Sequence, residues 1–115
     1  MLNNKLVDSA TPELPFYVND HGLDSLLSVT IKSGTSALVG GTVLGKVTAT
    51  GYYDAYADGN SDGTETAVGI LFNRVDPTDG PVLGSMMIHG VVRSGSLTGI
   101  DSAAVADLRD EFQFV

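Results

Sequence analysis

A run rich in β-branched residues occupies positions 42–50 of the chain, which read Thr-Val-Leu-Gly-Lys-Val-Thr-Ala-Thr. Val and Thr fit the pleated, half-buried surface of a sheet, so this run predicts a β-strand. Gly45 interrupts it, and an isolated glycine in a strand pattern indicates a bulge, a bend or a close approach of another backbone segment. The run therefore predicts a strand with a local irregularity at Gly45.

Two further strand patterns flank this run. Residues 27–32 alternate apolar and polar, which places Leu27, Val29 and Ile31 on one face of a half-buried strand. Residues 67–72 form a mostly continuous apolar run, which is typical of a strand buried on both faces. Gly/Asp-rich turns separate these patterns, as expected for a chain of short strands.

The C-terminal part of the sequence changes its period. Strand character resumes at residues 82–92, and apolar side chains then recur at helical spacing over residues 101–111, where Asp101 or Ser102 can cap the first turn. Residues 112–115 alternate again and predict a terminal strand that returns to the sheet. The predicted fold class is mainly β, an α+β arrangement with one short C-terminal helix.

The N-terminal region differs from the rest of the chain. Pro12 and Pro15 favour extended backbone, which fits an arm better than a core element. A frayed terminus is the ordinary explanation of such a segment. The segment also carries a cluster of large apolar side chains, which favours an arm that becomes ordered on a partner. We therefore expect an extended arm at residues 1–26 and one folded domain at residues 27–115. The apolar cluster consists of Leu14, Phe16, Tyr17 and Val18.

The composition excludes several classes of function. The 115 residues include no cysteine, so no disulfide, thiolate nucleophile or Cys-based metal site is expected. Six Lys and Arg against fourteen Asp and Glu give a net charge of −8, with no basic stripe for phosphates, so no direct nucleic-acid partner is expected. The apolar runs fall far short of the ~20 residues that cross a bilayer, so no membrane partner is expected either. The start of the chain lacks a secretory signal pattern, which predicts the cytosol as the site before any assembly.

The loop at residues 57–64 contains the first half of a calcium-binding pattern. Oxygen-bearing residues alternate up to Gly63, as they do in an EF-hand loop. The second half is missing, because the twelfth position holds Gly69 where a bidentate Glu is required. Asp, Asn and Gly are also what an exposed turn selects, so a plain loop is favoured over a metal site. The candidate ligands are Asp58, Asn60, Asp62 and Glu65.

No catalytic pattern is found in the sequence. His21 and His89 do not form a zinc motif, and no serine lies in a GxSxG turn. The glycines before Lys46 resemble a phosphate-binding loop only loosely, because Lys46 is followed by Val47 in place of Ser or Thr. The sequence therefore predicts neither an enzyme nor a cofactor.

Residues 41–51 and 62–71, separated by a tyrosine-containing extended stretch and a Gly/Asp loop, resemble the lambda-type head decoration proteins of tailed bacteriophages. The resemblance extends over residues 25–115 and includes Leu-Thr-Gly at positions 97–99, the short Ala-rich helix and the terminal apolar strand. The order and spacing of these segments carry it, since each one alone is ordinary β-sequence.

The resemblance implies a non-catalytic role in a phage head. It implies a β-clip-like domain that binds as a homotrimer at three-fold and quasi-three-fold sites of an expanded capsid and stabilises the shell against the pressure of packaged DNA. The implied partners are the major capsid protein and the chain itself. The implied locations are the capsid exterior of the virion and, before assembly, the host cytoplasm. The arm would add a strand to the edge of a capsid-protein sheet through Leu14, Phe16, Tyr17 and Val18.

Three tyrosines are candidates for the trimer interface, because aromatic residues are enriched at such contacts, with core packing as the equally open alternative. They are Tyr52, Tyr53 and Tyr56. Two other functions stay open as alternatives. One is a small trimeric β-fold enzyme of the nucleotide-hydrolase type, which would depend on His89 or Asp54. The other is a calcium-dependent adhesion or carbohydrate-binding module that uses the loop at residues 58–65.

Overall fold

The computed structural model describes residues 17–19, 26–34 and 36–115. The chain is mainly β with one short helix, which confirms the predicted fold class. The described residues also include the 3-10 turn Pro77–Asp79, between two strands, and the 3-10 turn Ser94–Ser96, between a strand and the helix. The strands and the helix are β1 (Tyr17–Asn19), β2 (Leu26–Ile31), β3 (Val43–Lys46), β4 (Tyr53–Ala55), β5 (Ala67–Leu71), β6 (Val82–Met87), β7 (Gly90–Val92), α1 (Ser102–Leu108) and β8 (Phe112–Phe114).

Five of the strands close into a barrel in the order β2-β4-β3-β5-β6, with β6 pairing back onto β2. The β2–β6 pairing is antiparallel and runs from Leu26 opposite Met87 to Ile31 opposite Val82. The pairing of β2 with β4 is parallel and consists of one residue pair, Ile31 with Tyr53. Closure leaves no unpaired edge in this sheet.

The other three strands form a small sheet in the order β1-β7-β8. The central strand β7 is antiparallel to β1 and parallel to β8. The strand character predicted over residues 82–92 is thus divided between two sheets, and the terminal strand β8 joins the small sheet and not the barrel. Gly90, with a φ of 144°, permits the change of direction between β6 and β7, because its backbone conformation is one that other residues rarely adopt.

Two apolar clusters form the core. Buried residues of the helix and both sheets make up the first cluster: Val43, Tyr56, Ala67, Ile70, Met87, Val92, Ala104, Leu108 and Phe112. The second cluster draws only on barrel strands: Val29, Ile31, Leu44, Leu71 and Met86. Since the barrel supplies residues to both clusters, its strands pack on two sides, which accounts for adjacent buried pairs such as Met86 and Met87.

The irregularity predicted at Gly45 is confirmed. The register between β3 and β5 shifts between Leu44 and Gly45. A Cβ atom added at Gly45 would lie 2.5 Å from the Cα of Thr64, so only glycine lets the loop before β5 approach this strand.

Three details of the predicted strands are wrong. The run predicted as one strand over residues 42–50 is strand only as β3 (Val43–Lys46), because the Gly51 N–H donates to the Val47 carbonyl at 2.8 Å and closes a turn.

Alternation places Leu27 on the same face as the buried Val29 and Ile31, but Leu27 is 45% exposed. At this end of β2 the opposite face is the one that packs on the core, since Leu26 contacts the first cluster. Val68 is 38% exposed, so β5 is not buried along its whole length on both faces.

Candidate interaction surfaces

Part of the predicted arm pairs with the folded domain. Strand β1 contains Tyr17 and Val18, and its backbone pairs with β7 at Tyr17 opposite Val92 and Asn19 opposite Val91. Leu14 and Phe16 lie outside the described residues. Within the described ranges, no strand pairs with the other edge of β1, so its outer N–H and C=O groups offer a template for a further strand.

Strand β8 forms the opposite edge of the same sheet. Phe112 is buried and Phe114 is half-buried, with their ring centroids 6.3 Å apart. A shallow cleft of about 360 Å³ lies beside them, lined by residues 89–91 and 109–113. Its lining carries both signs of charge, from Arg109, Asp110 and Glu111.

The three candidate interface tyrosines lie in different environments. Tyr56 is buried in the first cluster, and its hydroxyl donates a hydrogen bond to Asp101 Oδ1 at 2.9 Å. Burial, and then this neighbouring carboxylate, raise the pKa of Tyr56 to about 12. Tyr53 is half-buried, with Lys46 Nζ 5.8 Å from its ring centroid. Tyr52 is 36% exposed and offers the most surface of the three to a second chain.

The loop at residues 57–65 is held by its own hydrogen bonds. Thr64, which is 1% exposed, donates from its backbone N–H and its Oγ1 to Asp62 Oδ1 at 3.1 and 2.5 Å. These bonds lower the pKa of the Asp62 carboxyl because they stabilise its ionised form. Asn60 Nδ2 donates to Thr64 Oγ1 at 2.8 Å, and Glu65 Oε1 accepts from the Gly63 N–H at 2.9 Å.

Three of the four candidate calcium ligands therefore bond within the loop, and Asp58 is the exception. No group of three or more His, Asp or Glu side chains placed to hold a metal ion occurs in the described part of the chain.

The residues of the hydrolase alternative lie apart in the topology. His89 occupies the bend between β6 and β7, whereas Asp54 lies in the middle of β4 in the barrel. Asp54 Oδ1 accepts a hydrogen bond from the adjacent Ala55 N–H at 2.8 Å, which makes it a local structural acceptor. None of the helices described here is long and apolar enough to span a membrane.

Two features of the surface and core were not found from the sequence. Leu83 on β6 is 74% exposed, the largest value among the exposed large apolar side chains of the described residues. It pairs with Thr30 and borders a shallow cleft of about 300 Å³. The second feature is a contact that fixes the helix to the barrel: Asp107 Oδ2 accepts from the Ala67 N–H at 2.9 Å. The cap at Asp101, in contrast, is one of the two candidates expected from the sequence.

The sequence did contain a signal that one residue at this point of β6 faces solvent. Val82 and Leu83 are adjacent in a strand pattern, and neighbouring strand residues point to opposite faces. One of the two must therefore leave the barrel interior. Val82 packs against the second cluster, so Leu83 faces outward.

The comparisons with known proteins agree with the resemblance seen in the sequence. Residues 9–112 match the family model described as bacteriophage lambda head decoration protein D. A search of curated protein sequences found no match. The matched range begins at residue 9 in the N-terminal segment and includes β1, all five barrel strands and the helix. The chain therefore belongs to the bacteriophage lambda head decoration protein D family.

Proposed function

We propose that this chain binds as a homotrimer at the three-fold and quasi-three-fold sites of an expanded phage capsid and stabilises the shell against the pressure of packaged DNA. Membership of a head decoration family carries the proposal, since the matched residues 9–112 include both the arm region and the folded domain. The proposed partners are the major capsid protein and two further copies of the chain.

The arm supplies the capsid contact in this proposal. An extended segment that adds to an exposed sheet edge gains main-chain hydrogen bonds, and alternate side chains fill pockets. Leu14, Phe16 and Val18 have the spacing that places them on one side of such a strand. The pairing of β1 with β7 supports this arrangement, because it holds Tyr17–Asn19 against the domain directly after the residues that we propose to reach the capsid.

Trimerisation turns three modest contacts into tight attachment. Once one arm of a trimer is bound, the other two bind at a high effective concentration. If the arms bind the expanded shell and not the compact one, mass action alone stabilises the expanded shell. This function requires no chemical step, so we propose that the chain is not an enzyme.

The exposed apolar side chains support self-association. Leu83 lies on β6 and Tyr52 directly precedes β4, and both present apolar surface to solvent in the single chain. Cyclic symmetry lets a small domain cover such surface against its copies. Among the tyrosines predicted for this interface, we propose Tyr52 and Tyr53 as the side chains that meet a second copy and Tyr56 as their support from within the core.

A deletion of residues 2–16 tests the role of the arm. It leaves β1 in place, whereas a deletion through residue 20 would also remove β1 from the small sheet. We expect the shortened chain to keep its thermal stability and its oligomeric state and to lose binding to expanded capsids in a cosedimentation assay. Full binding by the shortened chain would contradict the proposal.

A matched pair of double variants separates side-chain contacts from arm length. Leu14→Ser with Phe16→Ser removes two side chains of the predicted apolar cluster, and we expect weaker capsid binding. Leu2→Ser with Leu6→Ser makes the same chemical change outside that cluster and should leave binding near that of the unmodified chain. Equal losses in the two variants would show that the cluster has no special role.

A further inference from the structure

We propose that Asp58–Gly59 is a self-modification site at which the backbone rearranges to isoaspartate, and that the fold directs the reaction to this pair. Glycine after aspartate favours such rearrangement, because it has no side chain to hinder attack by its backbone nitrogen. The chain contains three Asp-Gly pairs, at residues 58–59, 62–63 and 79–80. The proposal goes beyond the capsid function, since it concerns covalent change in the loop and does not depend on decoration.

The reaction needs no partner other than water. The backbone nitrogen of Gly59 attacks Cγ of Asp58 in its protonated form, the N–Cγ bond forms, and the acid hydroxyl leaves with the amide proton as water. Water then opens the resulting succinimide ring. Attack at Cγ restores aspartate, and attack at the main-chain carbonyl carbon yields isoaspartate, so nothing is oxidised or reduced.

The structure leaves both reacting groups of the first pair available. Asp58 is exposed, and its carboxyl takes part in no hydrogen bond in the described part of the chain. Gly59 lies in the turn closed by the Asn60 N–H and the Ala57 carbonyl at 3.0 Å, and its own N–H has no acceptor there. An added Cβ at Gly59 would meet no atom within 4 Å, so the ring has room to form.

The second pair is held in an unreactive arrangement. Glu65 Oε1 accepts the Gly63 N–H at 2.9 Å, which directs that nitrogen away from the Asp62 carboxyl. Thr64 donates twice to Asp62 Oδ1 and favours its ionised form, which is the poorer electrophile. A Cβ at Gly63 would lie 2.3 Å from the Lys46 carbonyl oxygen, so this part of the loop has no space to rearrange.

The third pair is held less firmly. The Gly80 N–H donates to the Pro77 carbonyl at 3.3 Å within the 3-10 turn, and Pro77 is buried. Reaction at Asp79 requires this turn to open. The structure thus ranks the pairs with Asp58 first, Asp79 second and Asp62 last.

Ageing of the folded protein in mildly acidic buffer tests the ranking. Isoaspartate is labelled with an isoaspartyl methyltransferase and located by peptide mapping, in native buffer and in concentrated urea. We expect most of the label on the Asp58 peptide in native buffer and comparable label on all three peptides in urea. Equal labelling in native buffer, more label at Asp62 than at Asp58, or the same ranking in urea would overturn the proposal.

Matched variants test the geometry of the turn directly. Gly59→Ala fits the space and the backbone conformation there, and we expect it to slow labelling by about tenfold, which corresponds to ~1.4 kcal/mol in activation free energy. An unchanged rate would overturn the assignment of the attacking nitrogen.

A pair of amide variants provides the control for ring closure. Asp58→Asn reacts through the same ring with loss of ammonia and is followed by its mass change. Asp62→Asn is the control. We expect the amide to be lost quickly at position 58 and slowly at position 62 in the folded protein, and at similar rates in urea. An amide at position 58 that survives in the folded protein but not in urea would overturn the proposal.

Discussion

Gly45 shows how one residue fixes the approach of a loop to the barrel. Gly45→Ala would place a Cβ 2.5 Å from the Cα of Thr64, and backbone atoms cannot move aside cheaply. We expect a loss of about 1–3 kcal/mol in the free energy of unfolding, the usual cost of overpacking. Gly34→Ala is the control, because its Cβ would meet nothing within 4 Å, and it should change stability by less than about 0.5 kcal/mol. Urea unfolding of both variants measures the difference, and equal stabilities would contradict the account.

Tyr56 couples the core to the start of the helix. Tyr56→Phe removes the hydrogen bond to Asp101 and keeps the ring, so we expect a loss of about 0.5–1.5 kcal/mol in the free energy of unfolding. Folding raises the pKa of Tyr56 to about 12, so its contribution to stability is complete below pH ~10 and declines as the pH rises from there towards 12.

Urea unfolding at a series of alkaline pH values checks this dependence. The decline in stability above pH ~10 should be shallower for Tyr56→Phe than for the unmodified chain. An identical decline in the two proteins would contradict the role assigned to Tyr56.

Helix α1 depends on the residue before it and on its packing. Seven residues are too few for an isolated helix to be stable in water, so capping and burial must supply its stability. Asp101 Oδ1 accepts from the Ala104 N–H at 2.8 Å, and Ala104 and Leu108 are buried.

Loss of the cap should therefore destabilise the whole domain. We expect Asp101→Ala to lower the free energy of unfolding by about 0.5–2 kcal/mol through the cap, with a further loss from the Tyr56 bond. Asp110→Ala, an exposed position beyond the helix, is the control and should be close to neutral. Thermal unfolding compares the two, and a cap variant as stable as its control would show that packing alone holds the helix.

Sequence periodicity predicts the type and position of these elements but not which strands pair with one another. The helix was predictable because its apolar spacing and its capping residue agree, and β3 and its bulge were predictable because a glycine interrupts a β-branched run. The assignment of β7 and β8 to a second sheet was not predictable, since pairing partners depend on the path of the chain after Gly90. The burial of Tyr56 was open for the same reason, because its alternation pattern does not show which face the helix will cover.

At the scale of the whole molecule, self-association should depend on protein concentration. The proposed homotrimer covers apolar surface that the single chain exposes, so its thermal midpoint should rise with concentration by mass action. Analytical ultracentrifugation should give a trimer, and Leu83→Ser should weaken it without lowering the stability of the single chain, since Leu83 is 74% exposed there. A monomer at all concentrations would contradict the trimer.

The net negative charge of the chain bears on which partner it binds. The proposed site lies on a shell filled with DNA, and a net charge of −8 disfavours binding to that DNA in place of the capsid. The family match places the chain among head decoration proteins, and the three-fold and quasi-three-fold site on the shell is what we propose beyond it.

Electron cryomicroscopy of expanded and unexpanded capsids of the cognate phage, each mixed with the full chain, tests the proposed site. We expect trimeric knobs of density at the three-fold and quasi-three-fold positions of the expanded shell only, and their loss when residues 2–16 are deleted. Bare expanded shells, density at other positions, or equal decoration by the shortened chain would contradict the proposed site.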